Sequence, residues 1–172
     1  LRQLVDKGVR PAELASERFD PATTTALIER LAGALESFLP ALRRLVYGAP
    51  KSTSLPPVLA LLEAVEANLR QPGAEPVVRL DSAAALLRED RESWAKVFSR
   101  WRKSGFNQGE SKVAAGDAAA ILAAAAGAEQ AVAATAPLQP RLFEAARRAL
   151  LPLVEEVRVR LQRAGALSYD EL

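Results

Sequence analysis

The segment from Arg91 to Lys112 carries the largest local excess of charge in the chain. Arg91, Lys96, Arg100, Arg102, Lys103 and Lys112 stand there against only Glu92 and Glu110. Cations gathered on one surface hold phosphates largely by releasing condensed counterions, so such a surface would bind DNA and lose it as salt rises. Trp94, Phe98 and Trp101 are interleaved with these cations, and exposed rings could stack on unpaired bases. Their spacing of four and then three is that of a helix face turned toward a core, which is the reading adopted for the rings. The six cations fit a solvated face as well as a DNA-binding patch.

Other arrangements that carry chemistry fail on inspection. The chain has no Cys and no His, which excludes a disulfide framework, a thiol nucleophile, an ordinary zinc site and a histidine-based triad. Gly105-Phe106-Asn107-Gln108-Gly109 lacks the G-x-x-x-x-G-K-[ST] pattern and a preceding strand, so it is no phosphate cradle. Gly105 is expected to end a helix in the left-handed conformation. Glu89-Asp90, Glu155-Glu156 and Asp170-Glu171 are adjacent pairs. Neighbours on a helix point in different directions, so these read as solvated surface rather than shared acid–base sites. No catalytic and no metal-ligating residue is assigned.

The elements that must position the basic segment are helical. Of 172 residues, 49% are hydrophobic and 26% charged, the aromatic share is 5%, and the formal charge is +2. Ala and Leu dominate and period-two alternation is nearly absent, which predicts an all-α fold. Short helices are expected over 1–8 and 11–18. Asp20-Pro21 is a start signal, followed by the stripe Leu27, Leu31, Leu35, Phe38, Leu42 and Leu45, which Pro40 should kink or break. Ser54 is a candidate cap ahead of Pro56 and Pro57, and Val58, Leu61, Leu62, Val65 and Leu69 form the next face. A loop over 71–76 precedes 77–80, which could be briefly extended, with Asp81 as the cap of the helix after it. Ala114 to Ala126 is nearly continuous alanine, suited to close packing against a neighbouring helix. The final helix, 141–164, is interrupted by Pro152. No apolar run of about 18 residues is seen, and no secretory pattern opens the chain. The expectation is an irregular multi-helix bundle with long kinked helices, a single domain over 1–172, cytoplasmic and without a membrane partner.

The last helix ends in Arg160-Leu161-Gln162-Arg163-Ala164-Gly165, followed by Ala166-Leu167-Ser168-Tyr169-Asp170-Glu171-Leu172. This run resembles UvrD/Rep-type superfamily 1 DNA helicases, most closely the RecB-like and AddA-like branch. In that family a long helix ends in a basic stretch and a glycine, and a "leucine, Ser or Asp, aromatic, Asp, acid, leucine" signature follows. Gly165, Leu167, Ser168, Tyr169, Asp170, Glu171 and Leu172 fill those places, with Tyr for the commoner Phe and Glu for the commoner second Asp. The resemblance implies an accessory 1B-type domain inserted in the first motor domain, helping to engage or separate duplex DNA. The parent would be an ATP-dependent helicase in DNA repair or recombination. Its ATP and Mg would bind at Walker A and Walker B motifs absent from this sequence, so no cofactor is expected here. A chain without Met that starts at Leu1 and stops inside such a signature reads as a fragment of a larger helicase. Its expected partners are DNA, as a duplex or a single-strand/duplex junction bound weakly, and the rest of the parent chain. The alternative is a non-enzymatic helical module that docks a protein partner.

Overall fold

The computed structural model describes residues 19–164, and every regular element among them is helical. In chain order these are α1 (Pro21–Gly48), α2 (Leu55–Leu69), α3 (Pro76–Glu89), α4 (Arg91–Ser104), α5 (Gln108–Val113), α6 (Ala118–Thr135) and α7 (Pro140–Arg163). The all-α bundle expected from composition is present. The short helices expected over 1–8 and 11–18, and the segment Gly165–Leu172, lie outside the described residues. The described residues fall into two compact units, one over Pro21–Pro140 and one that combines 19–20 with 141–164.

Within the first unit α1 is the central element, packed against α2, α3, α5 and α6. It begins at Pro21, whose fixed φ suits a first helical position and whose missing N–H would go unused there anyway. The buried stripe is Thr24, Ile28, Leu31, Leu35, Phe38, Leu39, Leu42 and Leu45. The expected stripe is therefore right except at its start, where Ile28 takes the buried place assigned to Leu27. Pro40 does not break the helix, which runs on for 28 residues. Pro40 and Glu36 are both exposed, so the carbonyl that loses its helical donor is open to water, while the buried stripe on the opposite face holds the helix together across the proline. In α7, Pro152 and Arg148 are likewise exposed and the helix is continuous.

Ser54 precedes α2 but its side chain caps nothing. Pro56 and Pro57 start the helix instead, and Leu55, Val58, Leu59, Leu61, Leu62, Val65 and Leu69 are buried. The segment 77–80 is helical, not extended. Pro76 opens α3 behind Glu75, which is in the extended region at φ −58° and ψ 143°, and Asp81 lies inside the helix rather than at its cap. The chain then turns at Asp90, which separates α3 from α4. Two hydrogen bonds hold that corner: the Trp94 indole N–H donates to the Leu87 carbonyl at 2.8 Å, and Ser93 Oγ donates to Asp90. Arg88 reaches from α3 to the carbonyls of Ala136 and Leu138, supplying donors to the C-terminal end of α6.

The alanine-rich α6 buries Ile121, Ala125, Ala128, Ala131, Val132 and Thr135, and packs on α1, α3 and α4. Small side chains at most of these positions let a neighbouring backbone approach. The stretch Ala118–Leu161 contains a window long and apolar enough to cross a membrane by length and composition, with a third of it buried in the protein. That corrects the expectation that no such run exists. In the fold, Ile121, Ala125, Ala128 and Val132 belong to the core.

The end of α1 is in tight contact with α5. A Cβ on Gly48 would stand 2.8 Å from both Cγ atoms of Val113. Valine is stiff at χ1 and cannot swing aside. Gly48→Ala is therefore expected to destabilise by about 1–2 kcal/mol, overpacking outweighing the gain in helix propensity. Adding Val113→Ala should make the double variant less unstable than the sum of the two single changes. Urea unfolding of the three variants measures this, and strict additivity would remove the contact as the cause.

Candidate nucleic-acid interface

The physical basis of the candidate patch is the division of α4 into two faces. Trp94, Val97, Phe98 and Trp101 are buried, as expected from their spacing. Their rings interlock edge to face: Phe98 and Trp101 have centroids 6.2 Å apart, and Trp101 meets Phe106 at 5.4 Å. The rings of Trp94, Phe98 and Trp101 are therefore not available to a base. On the side of α4 away from them, Lys96 and Lys103 stand two helical turns apart, both exposed. Arg91 at the start of the helix and Lys112 on α5 are exposed as well. Among the described residues these four have no carboxylate partner.

Arg100 and Arg102 are placed differently. Arg102 is paired with Glu129 of α6 at 2.8 Å. Arg100 donates from Nη2 to Glu110 Oε1 at 2.6 Å. Two of the six expected cations are thus already neutralised within the fold, and the remaining patch consists of Arg91, Lys96, Lys103 and Lys112.

Glu110 was counted only as an offset to the cations, and its place at the centre of a buried network was not anticipated. It is fully buried, and four donors converge on its carboxylate. Besides Arg100, Oε1 accepts from Ser52 Oγ at 3.0 Å, while Oε2 accepts from the Trp101 indole N–H and from the Asn107 backbone N–H, both at 3.1 Å. Asn107 returns the bond, its Oδ1 accepting from the Glu110 N–H at 2.9 Å, and its Nδ2 donates to Ser52 Oγ. Asn107 and Glu110 form a capping box at the start of α5. The signal was in the sequence as Asn107-x-x-Glu110, directly behind the helix-ending glycine. Gly105 itself has φ +67° with ψ −155°, so its φ has the expected sign but its backbone is in an extended mirror region open essentially to glycine alone.

Burial pushes the Glu110 carboxyl upward, but the bonds from the Asn107 N–H, Arg100, Trp101 and Ser52 outweigh it and hold it below the usual carboxylate range. A carboxylate with its lone pairs occupied and its proton affinity lowered is a poor general acid or base near neutral pH. Its work is to lock the turn after α1, the end of α4 and the start of α5 to one another.

A groove of about 230 Å³ lies between α4 and α6, lined by Phe98, Trp101, Leu122, Ala125 and Ala126 and spanned by the Arg102–Glu129 pair. It is smaller than the usual small-molecule site of roughly 300–1,000 Å³. Among the described residues no three acidic side chains gather in a way that could hold a metal ion.

In the second unit Glu144 plays a similar local part. Its Oε2 accepts from Arg147 Nε at 2.7 Å, and the Phe19 N–H donates to Oε1 at 3.3 Å while the Phe19 and Phe143 rings meet edge to face. Burial raises the Glu144 carboxyl, and these bonds together with the charges of Arg147 and Arg148 bring it below its ordinary value.

No protein-family model, no curated protein and no solved structure matches the chain.

Proposed function

We propose that this chain is a DNA-engaging accessory domain of a UvrD/RecB-like ATP-dependent helicase acting in repair or recombination. It works in the cytoplasm, without catalysis of its own. The observation that carries the DNA contact is the exposed pair Lys96 and Lys103 on the outer side of α4, flanked by Arg91 and Lys112. The family assignment rests on the resemblance of Arg160 to Leu172. In this reading the motor domains of the parent hold ATP and Mg, and the basic side of α4 meets the phosphates of a duplex or junction, contributing affinity but no sequence preference.

The test is titration of labelled duplex and forked DNA at low salt with the native chain and a Lys96→Glu, Lys103→Glu variant. Arg100 and Arg102 are left intact because their reversal would break ion pairs inside the fold. The variant is expected to bind roughly tenfold more weakly, with a smaller salt slope. Equal binding by the two proteins would remove the patch.

A second reading is supported by α7, where Leu142, Phe143, Leu150, Leu153 and Val159 are exposed. Such a helix suits docking onto a protein groove. A stable oligomer in gel filtration, combined with no DNA affinity, would favour it.

A further inference from the structure

Among the described residues of the Pro21–Pro140 unit, Tyr47 is the one exposed large apolar side chain, at 80%. Trp94, Phe98, Trp101 and Phe38 of the same unit are buried. Tyr47 sits in the last turn of α1, and its neighbours are cations. Arg43 and Arg44 precede it by four and three residues, the spacings that share a helix face. Lys51 is exposed in the turn that follows. Lys112 is exposed on α5, which lies against this end of α1 through the Gly48–Val113 contact.

Arg43 is bonded to Glu63 at 2.7 Å and Arg44 to Asp117 at 2.9 Å. All four of these side chains are roughly half exposed, so the pairs are weak and screened by salt, but like the Arg102–Glu129 pair they already occupy their arginines, which leaves Lys51 and Lys112 as the cations free for a phosphate. Lys51 and Lys112 have no carboxylate partner among the described residues. A lone ring bordered by cations is a poor seat for an apolar protein face, which needs a contiguous apolar patch. It matches a nucleotide instead: a planar base to stack on the ring and a phosphate to meet a cation.

We propose that Tyr47 is a stacking platform for an unpaired base of single-stranded DNA, with Lys51 and Lys112 holding the adjoining phosphates. The proposal rests on the DNA-engaging reading above and deepens it. It assigns Lys112 to single-strand contact at the end of α1 and leaves duplex contact to Arg91, Lys96 and Lys103 of α4, so one domain would touch both arms of a junction.

The experiment compares fluorescence anisotropy of a labelled oligothymidylate and of a blunt duplex of equal length, at low salt, with the 172-residue chain. The variants are Tyr47→Ala, Tyr47→Trp and Lys96→Glu with Lys103→Glu. Tyr47→Ala should weaken oligothymidylate binding roughly tenfold and leave duplex binding unchanged, and Tyr47→Trp should keep it. An unaltered unfolding curve for Tyr47→Ala separates lost stacking from lost fold. Native affinity of Tyr47→Ala for oligothymidylate overturns the platform. If only the double lysine variant then loses DNA, the broader reading survives and this one does not. If Tyr47 matters and the lysines do not, the platform stands and the α4 patch falls. If the native chain binds neither DNA, both fall together.

Discussion

Glu110→Ala is expected to cost about 3–5 kcal/mol, because it removes one partner of a buried pair and leaves the other groups unpaired. The Trp101 indole N–H and Ser52 Oγ would lose their acceptor in a dry site, and Arg100 would keep only its solvent-facing contacts. Arg100 Nε is already buried without a partner, so that guanidinium has little reserve. Glu110→Gln should cost less, since the amide oxygen still accepts, but its NH2 would point donors at donors. Urea unfolding followed by tryptophan fluorescence reads both changes. A loss below about 1 kcal/mol for the alanine variant would show that the network is not holding the corner.

The same network fixes the direction of acid sensitivity. The Glu110 carboxyl titrates lower in the folded chain than in the unfolded one. The unfolded state therefore binds more protons in the acid range, and stability rises with pH there. The contribution is fully present above the unfolded carboxylate value of about 4.3 and disappears as pH falls through the lower folded value. Glu110→Gln should flatten that part of the stability curve. An unchanged acid limb would assign the proton uptake elsewhere, for example to Glu144, whose shift has the same sign.

Phe38→Ala should be comparably damaging, at about 3–5 kcal/mol. Phe38 is fully buried on α1, and its ring lies 5.7 Å from Phe98 and 6.0 Å from Trp101. It is the point at which the central helix meets the aromatic face of α4. Truncation would leave a cavity bounded by rigid rings, which relax little. Phe38→Leu should recover much of the loss. Equilibrium unfolding of both variants, with Trp94 and Trp101 as built-in reporters, checks the order. A near-native Phe38→Ala would mean that α4 is held chiefly by its polar corner.

The comparison between sequence and fold follows the range of the interactions involved. Trp94, Phe98 and Trp101 could be placed in the core from sequence because helical spacing is a local property, set by the turn of the backbone. The start of α1 at Pro21 was legible for the same reason. Misplaced features depended on who stood opposite. Pro40, expected to kink or break its helix, and Pro152, expected to interrupt its own, leave both helices continuous, and each faces solvent, where a carbonyl that loses its helical donor is open to water. Asp81 has the composition of a cap, but Pro76 had already started the helix five residues earlier.

The basic segment shows the division most clearly. Sequence alone determined that six cations would crowd the region from Arg91 to Lys112, that α4 would turn its rings inward, and that no thiol, imidazole or ordinary zinc chemistry was possible. Only the tertiary structure decided which cations remain free. Arg100 and Arg102 are withdrawn by Glu110 and Glu129, ten and 27 residues away along the chain. It also set α5, which carries Lys112, against the end of α1, which carries a tyrosine 65 residues earlier in sequence. Charge and helical period are written residue by residue, whereas pairing across a bundle is set by packing, which brings distant residues within bonding reach.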